Sequence, residues 1–302
     1  MEKVIIIGAG PAGISAALYA VRGNLDPLVI NNGIGALEKA EKIENYYGLE
    51  HPLSGQELYD TGIAQAKALG VRMLDAQVLG VGGFDTFVVK TTEGEFETQS
   101  LILATGSRRA APKIPGVKEF EGKGVSYCAI CDAFFYRGKD VAVLGNGDFA
   151  MHEAKELSNT ASTVTIYTNG EEPEFTPEGN ISVNTMKIQS VEGDDLVSGI
   201  RLAPDIQAQE MNADAGQQAN DFCPAAGVFI AMGTAGSTEI ARQMGADLTE
   251  KGNIKVDENM ETTIPGLYAA GDCTGGLLQV AKAVYEGAQA GINVGKYVRS
   301  LK

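Results

Sequence analysis

The sequence predicts an α/β fold of two doubly wound units, the second inserted into the first. Three observations predict it. Val4-Ile5-Ile6-Ile7 is an unbroken β-branched run, the mark of a strand buried on both faces in a parallel sheet. The turn Gly8-Ala9-Gly10-Pro11-Ala12-Gly13 and an Ala-rich apolar stretch, Ile14 to Val21, follow it directly. The same design returns with a strand at Val141-Ala142-Val143-Leu144, a turn over Gly145-Asn146-Gly147-Asp148-Phe149-Ala150, a helix over Met151 to Leu157 and a strand over Thr163 to Tyr167. Glycine supplies 38 of 302 residues, close to twice the usual ~7%, which implies many tight turns and close backbone approaches.

Leu28-Val29-Ile30 completes the first strand–helix–strand crossover. Ser100 to Leu103 is a further strand, closed by Ala104-Thr105-Gly106. Gly106 to Pro115, with Arg108, Arg109, Pro112 and Pro115, reads as a crossing between domains, and Gly233 to Ser237 as the return. Ala203 to Asp221 is polar and Gln/Asn-rich, a hairpin or loop. Near the end, Leu267 to Ala270 is a strand followed by Gly271-Asp272, Gly275-Gly276 and a helix from about Gln279. If that Gly-Asp turn serves the first site, the C-terminal part must rejoin the first domain. The expected division is 1–112 with 237–302, and an inserted domain over 113–236.

Composition excludes several classes. Lys+Arg is 24 and Asp+Glu 39, for a net charge of −15. So acidic a chain is a poor partner for nucleic acid or an anionic membrane, where Lys and Arg must neutralise phosphates. With 44% hydrophobic and 21% charged residues the composition is globular. No basic segment followed by an apolar run and a cleavage site opens the chain, and no stretch reaches the ~18 apolar residues of a membrane span. Four cysteines do not make a secreted disulfide scaffold. The expected compartment is the cytoplasm, where Cys-x-x-Cys is more often redox-active or metal-binding than structural.

Gly8-x-Gly10-x-x-Gly13 stands between a strand and a helix, the context a dinucleotide fingerprint requires. Its glycines permit the tight turn and let the backbone approach a pyrophosphate at the helix N-terminus. The acidic residue expected at the end of the second strand is replaced by Asn31-Asn32. Gly271-Asp272 can place a carboxylate on a ribityl hydroxyl, or be a plain helix cap. Cys128-Ala129-Ile130-Cys131 can close a small disulfide and exchange with another thiol pair. Its rival is half a zinc site, which needs two more ligands, usually a close Cys/His pair. Cys223 and Cys273 lie 50 residues apart, and neither His51 nor His152 is near a third cysteine, so no metal is expected. Asp132 can act as acid or base for a leaving thiolate. Cys223 and Cys273 read as ordinary thiols, His152 as a partly exposed helix residue, and Glu171-Glu172-Pro173-Glu174 as a solvated turn.

In this order the motifs resemble the low-molecular-weight thioredoxin reductases. The matching pieces are G-A-G-P-A-G at 8–13, I-E-N-Y-Y-G at 43–48, A-T-G at 104–106, C-A-I-C-D-A-F-F-Y at 128–136, the turn at 145–150, G-V-F-I-A-M-G at 227–233 and A-A-G-D-C at 269–273. The resemblance spans essentially the whole chain. It implies two Rossmann-like, dinucleotide-binding-type domains, FAD on the first and the dithiol on the second, and a homodimer. It also implies FAD contacts from Gly8, Gly10, Pro11, Ala12, Gly13, Asn45, Thr105, Gly106, Asp272, Gln279, Val280 and Ala281. Cys131 would face the flavin, Cys128 would attack thioredoxin, and Asp132 would protonate the outgoing thiolate.

Two departures bear on the electron donor. NADPH-dependent members carry His-Arg-Arg after the strand that here ends at Tyr167. This chain has Thr168-Asn169-Gly170-Glu171-Glu172. A 2′-phosphate needs Arg or Lys. Gln279-Val280-Ala281 also replaces the usual Arg-Gln-Ala beside the flavin. Both departures resemble the ferredoxin-dependent flavin thioredoxin reductases. The expected function is reduction of the thioredoxin disulfide through FAD and Cys128–Cys131, with reduced ferredoxin as donor. The alternatives are an NADH- or deazaflavin-dependent reductase, a ferredoxin–NADP-type flavoprotein without disulfide chemistry, or a non-enzymatic flavin- or zinc-binding module. An acidic ferredoxin would need a local basic patch. Arg108, Arg109 and Lys113 are the first candidates, with Lys282, Arg137 and Lys139 after them.

Overall fold

The computed structural model describes residues 1–83, 85–106, 112–204, 221–232 and 236–301, and the side chains of 130 and 131 lie outside the description. Half of the first domain crossing, including Arg108 and Arg109, most of the second and most of the 203–221 loop are therefore outside the described residues. The chain divides into two compact units, one of Met1–Arg109 with Ala235–Lys302 and one of Ala110–Thr234.

The discontinuous unit holds a five-stranded parallel sheet in the order Leu267–Ala269, Leu101–Leu103, Ile5–Ile7, Leu28–Asn31, Arg72–Asp75. Every residue of its three strands nearest the Leu267 edge is buried, which explains their unbroken apolar sequences. Ile5–Ile7 has the strand next in sequence on one side and Leu101–Leu103 on the other. That is a topological switch point, and both Gly8 and Ala104 leave the carboxyl ends of the strands that flank it. Residues 78–98 add a three-stranded antiparallel sheet.

The C-terminal segment belongs to this unit by backbone contact. The helix Val280–Ser300 lies on the helix Pro11–Arg22. A Cβ on Gly287 would stand 2.1 Å from the Ala12 carbonyl oxygen, and one on Gly291 2.3 Å from that of Ala16. Only residues without side chains allow this approach.

The continuous unit repeats the plan. Its parallel sheet runs Ser182–Asn184, Thr163–Tyr167, Asp140–Leu144, Gly227–Ile230, Val125–Ser126. Val125, Ala142, Leu144, Val228 and Ile230 lie in one core with Ile200 of a second, antiparallel sheet. That sheet contains Val197–Leu202 and Phe222–Pro224, paired on either side of the polar loop.

Both crossover helices begin one turn earlier than their apolar stretches suggest. The first starts at Pro11, because Gly10 is extended (φ −73°, ψ −175°) and a proline at the first helical position lacks only an N–H that would be unpaired anyway. The second spans Asp148–Ser158, with the Asp148 carboxylate at its positive end.

Candidate functional site

The three glycines of the first turn have three different physical causes. Gly8 holds φ +108°, and a Cβ there would stand 2.4 Å from the Ala104 carbonyl oxygen. A Cβ on Gly13 would stand 1.8 Å from the Gly8 carbonyl oxygen. Gly13 closes the turn on itself, and Gly8 lets the turn lie against the strand end at Ala104. Gly10 meets no protein atom within 4 Å and has an ordinary extended backbone. Nothing in the protein demands glycine there; an open approach to the amides that begin the helix does. Pro11 begins that helix, while Ala12 is buried with its carbonyl under Gly287.

Around this turn the fold gathers residues far apart in sequence. Asn45 donates its amide to Gln279 Oε1 at 2.9 Å, across 234 positions. Gln279 immediately precedes the C-terminal helix, in which Val280 is half-buried and Ala281 exposed. Thr105 is laced to Ser237: its N–H donates to Ser237 Oγ at 3.0 Å, and the Ser237 N–H donates to Thr105 Oγ1 at 2.8 Å. Gly106 follows with φ +86°. Asp272 is half-buried and no described residue hydrogen-bonds its carboxylate. Burial pushes that carboxyl above its ordinary range; Lys282 opposes the shift and Glu286 adds to it. An open glycine turn at a switch point, an unbonded carboxylate and exposed amides fit a dinucleotide with hydroxyls and a pyrophosphate. Asn31, by contrast, is engaged within the protein, donating to Asp75 at 2.7 Å and accepting from the Tyr59 hydroxyl at 2.8 Å.

Lys282 corrects one expectation. It is not a free surface cation: its ammonium donates to the Gly271 carbonyl and to Thr274 Oγ1, both at 2.7 Å, and pairs with Glu286 at 2.8 Å. Glu286 in turn accepts from the Gly271 N–H at 2.8 Å. The pair clamps the Asp272 turn from the next helix. Its i, i+4 spacing is visible in the sequence.

In the other unit, Cys128 follows the edge strand Val125–Ser126 and opens the short helix Ala129–Asp132. Cys128 is disulfide-bonded and 2% exposed, whereas Cys223 and Cys273 are free. Burial pushes the Cys273 thiol up to about 12, which makes it inert. The Cys131 side chain lies outside the described residues. Ser126 was not anticipated: its Oγ accepts the Cys128 N–H at 3.1 Å and donates to Asp132 Oδ2 at 2.6 Å. It joins the cysteine backbone to the expected acid. Glu153 was also missed. Its Oε2 accepts the Ala129 N–H at 2.6 Å. Phe134 and Phe135, 70% and 69% exposed, project beside this segment, and Tyr136 packs edge-on against Phe229 at 5.2 Å. Among the described residues no group of three or more His, Cys, Asp or Glu could hold a metal ion, and no helix is long and apolar enough to cross a membrane.

The second glycine turn keeps its shape and differs in its lining. A Cβ on Gly145 would stand 2.2 Å from the Ala231 carbonyl oxygen, so this turn too lies against a strand end, as at Gly8. At Gly147, the counterpart of the open Gly10, the protein atom in reach is a Glu174 carboxylate oxygen, 3.9 Å from a Cβ. The Glu174 N–H donates to the Asn146 carbonyl at 2.7 Å, which brings Glu174 up to the turn. Thr168 is buried, and Asn169 accepts the Ile188 N–H at 2.8 Å.

The chain matches the family model for pyridine nucleotide-disulphide oxidoreductases over residues 2–287. It is 35% identical to a thioredoxin reductase of Aquifex aeolicus, over 99% of this chain and 94% of that protein. Among solved structures it resembles the atypical thioredoxin reductase of Desulfovibrio vulgaris Hildenborough, with a TM-score of 0.87, 38% identity and 99% of each chain covered. A ferredoxin-flavin thioredoxin reductase of Clostridium acetobutylicum superposes with a TM-score of 0.68 at 28% identity, covering 99% of this chain and 98% of that one. The chain belongs to the pyridine nucleotide-disulphide oxidoreductase family and, within it, to the thioredoxin reductases.

Proposed function

We propose that this thioredoxin reductase takes its electrons from a reduced ferredoxin and not from NADPH. The observation that carries the proposal is the second glycine turn, where the Glu174 carboxylate stands at the mouth that an anionic pyrophosphate would need. Two further carboxylates, Glu171 and Glu172, and no Arg or Lys occupy 168–172, where a 2′-phosphate would require a cation. The ferredoxin-flavin neighbour supports the same reading.

The cofactor is FAD. On this reading the unit of 1–112 and 237–302 holds it, through Gly8, Gly10, Pro11, Ala12 and Gly13, Thr105 and Gly106, Asn45 with Gln279, Val280 and Ala281, and Asp272. Bound FAD supplies a carrier that accepts electrons singly and delivers them in pairs. The unit of 113–236 supplies the thiols. Cys128, as thiolate, attacks one sulfur of the thioredoxin disulfide and breaks it, forming a mixed disulfide. Asp132, fixed by Ser126, gives its proton to the outgoing thiolate. Cys131 then attacks the Cys128 sulfur, its thiol proton passing to the second departing sulfur, and thioredoxin is released as a dithiol. Thioredoxin gains two electrons and two protons, and the pair is left as a disulfide. The exposed Phe134 and Phe135 give a partner protein apolar anchors in the segment that follows the two cysteines. Exposed Arg137, Lys139 and Lys113 supply the positive charge an acidic ferredoxin needs on a chain of −15. The enzyme works as a cytoplasmic homodimer.

Anaerobic thioredoxin reduction with NADPH, NADH and reduced ferredoxin, compared side by side, tests the donor. Turnover with ferredoxin alone is expected. Rapid flavin bleaching by stoichiometric NADPH would overturn the reading, and bleaching by NADH would move it to an NADH-dependent reductase.

A further inference from the structure

Two successive N–H groups at the dithiol are held by side chains of different kinds. That of Cys128 is bonded to Ser126, a hydroxyl that stays neutral. That of Ala129 is bonded to the carboxyl of Glu153, which reaches it from the middle of the helix Asp148–Ser158. Glu153 is 1% exposed, and its other oxygen, Oε1, has no hydrogen-bond partner among the described residues. A buried carboxyl with one bare oxygen is costly. A neutral acceptor would hold the same N–H at less cost. What glutamate adds is an ionisable group against the peptide that follows Cys128, where both residues are buried and screening is weak.

We propose that Glu153 is a positioning residue for the thiol chemistry of Cys128: its carboxyl fixes the Cys128–Ala129 peptide, and its charge governs how readily the reduced Cys128 yields a thiolate. The proposal rests on the reading of Cys128 as an exchanging thiol.

The charged groups around Glu153 do not compensate it. Glu156, on its own helix, opposes its ionisation. Asp132, on the dithiol helix, is bonded to Ser126. On the two strands packed against the helix, Asp140 accepts from Thr163 and Tyr167 is buried. Burial, the largest cause, pushes the Glu153 carboxyl up to about 7, and the Ala129 N–H pulls it back. The group is therefore held neutral to a higher pH than an ordinary carboxyl. An ionised Glu153 and a Cys128 thiolate repel each other, so the first proton lost makes the second harder to lose. Protonated Glu153 keeps its hold on Ala129 through the carbonyl oxygen and lifts the penalty on the thiolate.

The test is thiol alkylation of the dithiothreitol-reduced flavoenzyme by iodoacetamide from pH 6 to 10, with the Cys128 adduct quantified by peptide mass spectrometry. The expected result for Glu153→Gln is a Cys128 alkylation rate about tenfold higher at pH 7–8, the effect of removing one nearby like charge, with a single-step profile. Wild type is expected to titrate in two coupled steps. Superimposable profiles for Glu153→Gln and wild type would overturn the proposal. Should Glu153→Gln fail to fold, the curve of Cys131→Ser, in which the second thiol is gone, decides: two steps support the coupling and one step overturns it. A separate outcome marks failure of the underlying reading. If Cys128→Ser retains thioredoxin turnover, Cys128 is not the exchanging thiol, and the role given to Glu153 falls with it.

Discussion

Gly10→Ala separates a glycine kept for a ligand from glycines kept for the chain. Gly10 sits at φ −73° and ψ −175° and has nothing within 4 Å of where a methyl would go. Alanine fits that conformation, and by narrowing the unfolded ensemble it stabilises the flavin-free protein by ~0.4–1 kcal/mol. The same methyl blocks the path of a pyrophosphate to the helix amides. Losing one charge-assisted hydrogen bond costs ~1.5–3 kcal/mol, or about 10- to 150-fold in FAD affinity. Gly13→Ala behaves oppositely: its methyl would lie 1.8 Å from a carbonyl oxygen of the turn itself, so the unit loses stability with or without FAD. The assay pairs thermal melting of the deflavinated proteins with FAD titration by flavin fluorescence. Wild-type FAD affinity in Gly10→Ala, or a melting point lowered as far as that of Gly13→Ala, would refute the reasoning.

Cys128→Ser and Cys131→Ser should each abolish thioredoxin reduction while the flavin spectrum persists, and Cys223→Ser should leave turnover unchanged; turnover and absorbance on the same samples check this. Glu153 should make stability depend on pH. Its folded value lies at about 7 against 4.5 in the open chain, so its neutral form is favoured by folding. The associated stability is full below pH 4.5 and is lost as pH rises to about 7. Urea midpoints should show wild type losing about 3 kcal/mol relative to Glu153→Gln across that window; parallel curves would contradict it. Reversing Arg108 and Arg109 to Glu should slow ferredoxin-driven turnover, most at low salt, and spare flavin reduction by dithionite; stopped-flow rates against ionic strength measure both.

The buried parallel strands Ile5–Ile7, Leu101–Leu103 and, from Val141, Asp140–Leu144 were legible from their unbroken apolar runs, whereas the strands Arg72–Asp75, Val125–Ser126 and Ser182–Asn184, which lie at sheet edges and lack such a run, were not. The glycine turns were legible from their spacing. The cause of each glycine was not, since Gly13 answers to a carbonyl of its own turn and Gly8 to one at Ala104 that only the fold brings near. Glu153 was passed over on a helix where His152, the residue singled out, read as partly exposed. Its position was the missed signal: it falls in line with Phe149, Ala150, Ala154 and Leu157, the buried stripe of its helix. A carboxylate on such a stripe marks a buried polar contact. Glu174 read as part of a solvated turn because its approach to Gly147 depends on one backbone bond to Asn146. Asn45 and Gln279 were both singled out, but their mutual hydrogen bond spans 234 positions and has no local signature.

The bare contact between the helices Pro11–Arg22 and Val280–Ser300 has a consequence for synthesis on the ribosome. The first helix exposes the Ala12 and Ala16 carbonyls to a surface that Gly287 and Gly291 alone can cover. The strand Leu267–Ala269, which extends the sheet beyond Leu101–Leu103, also emerges late. The first hundred residues therefore wait, incomplete, while the continuous unit of Ala110–Thr234 has its whole sheet available to fold. Domains fold as they leave the ribosome, earlier segments first; here the order is inverted. The thiol-bearing unit can mature before the unit to which the N-terminal strands belong, and that discontinuous unit, with the proposed flavin site, is completed only when the helix Val280–Ser300 reaches it.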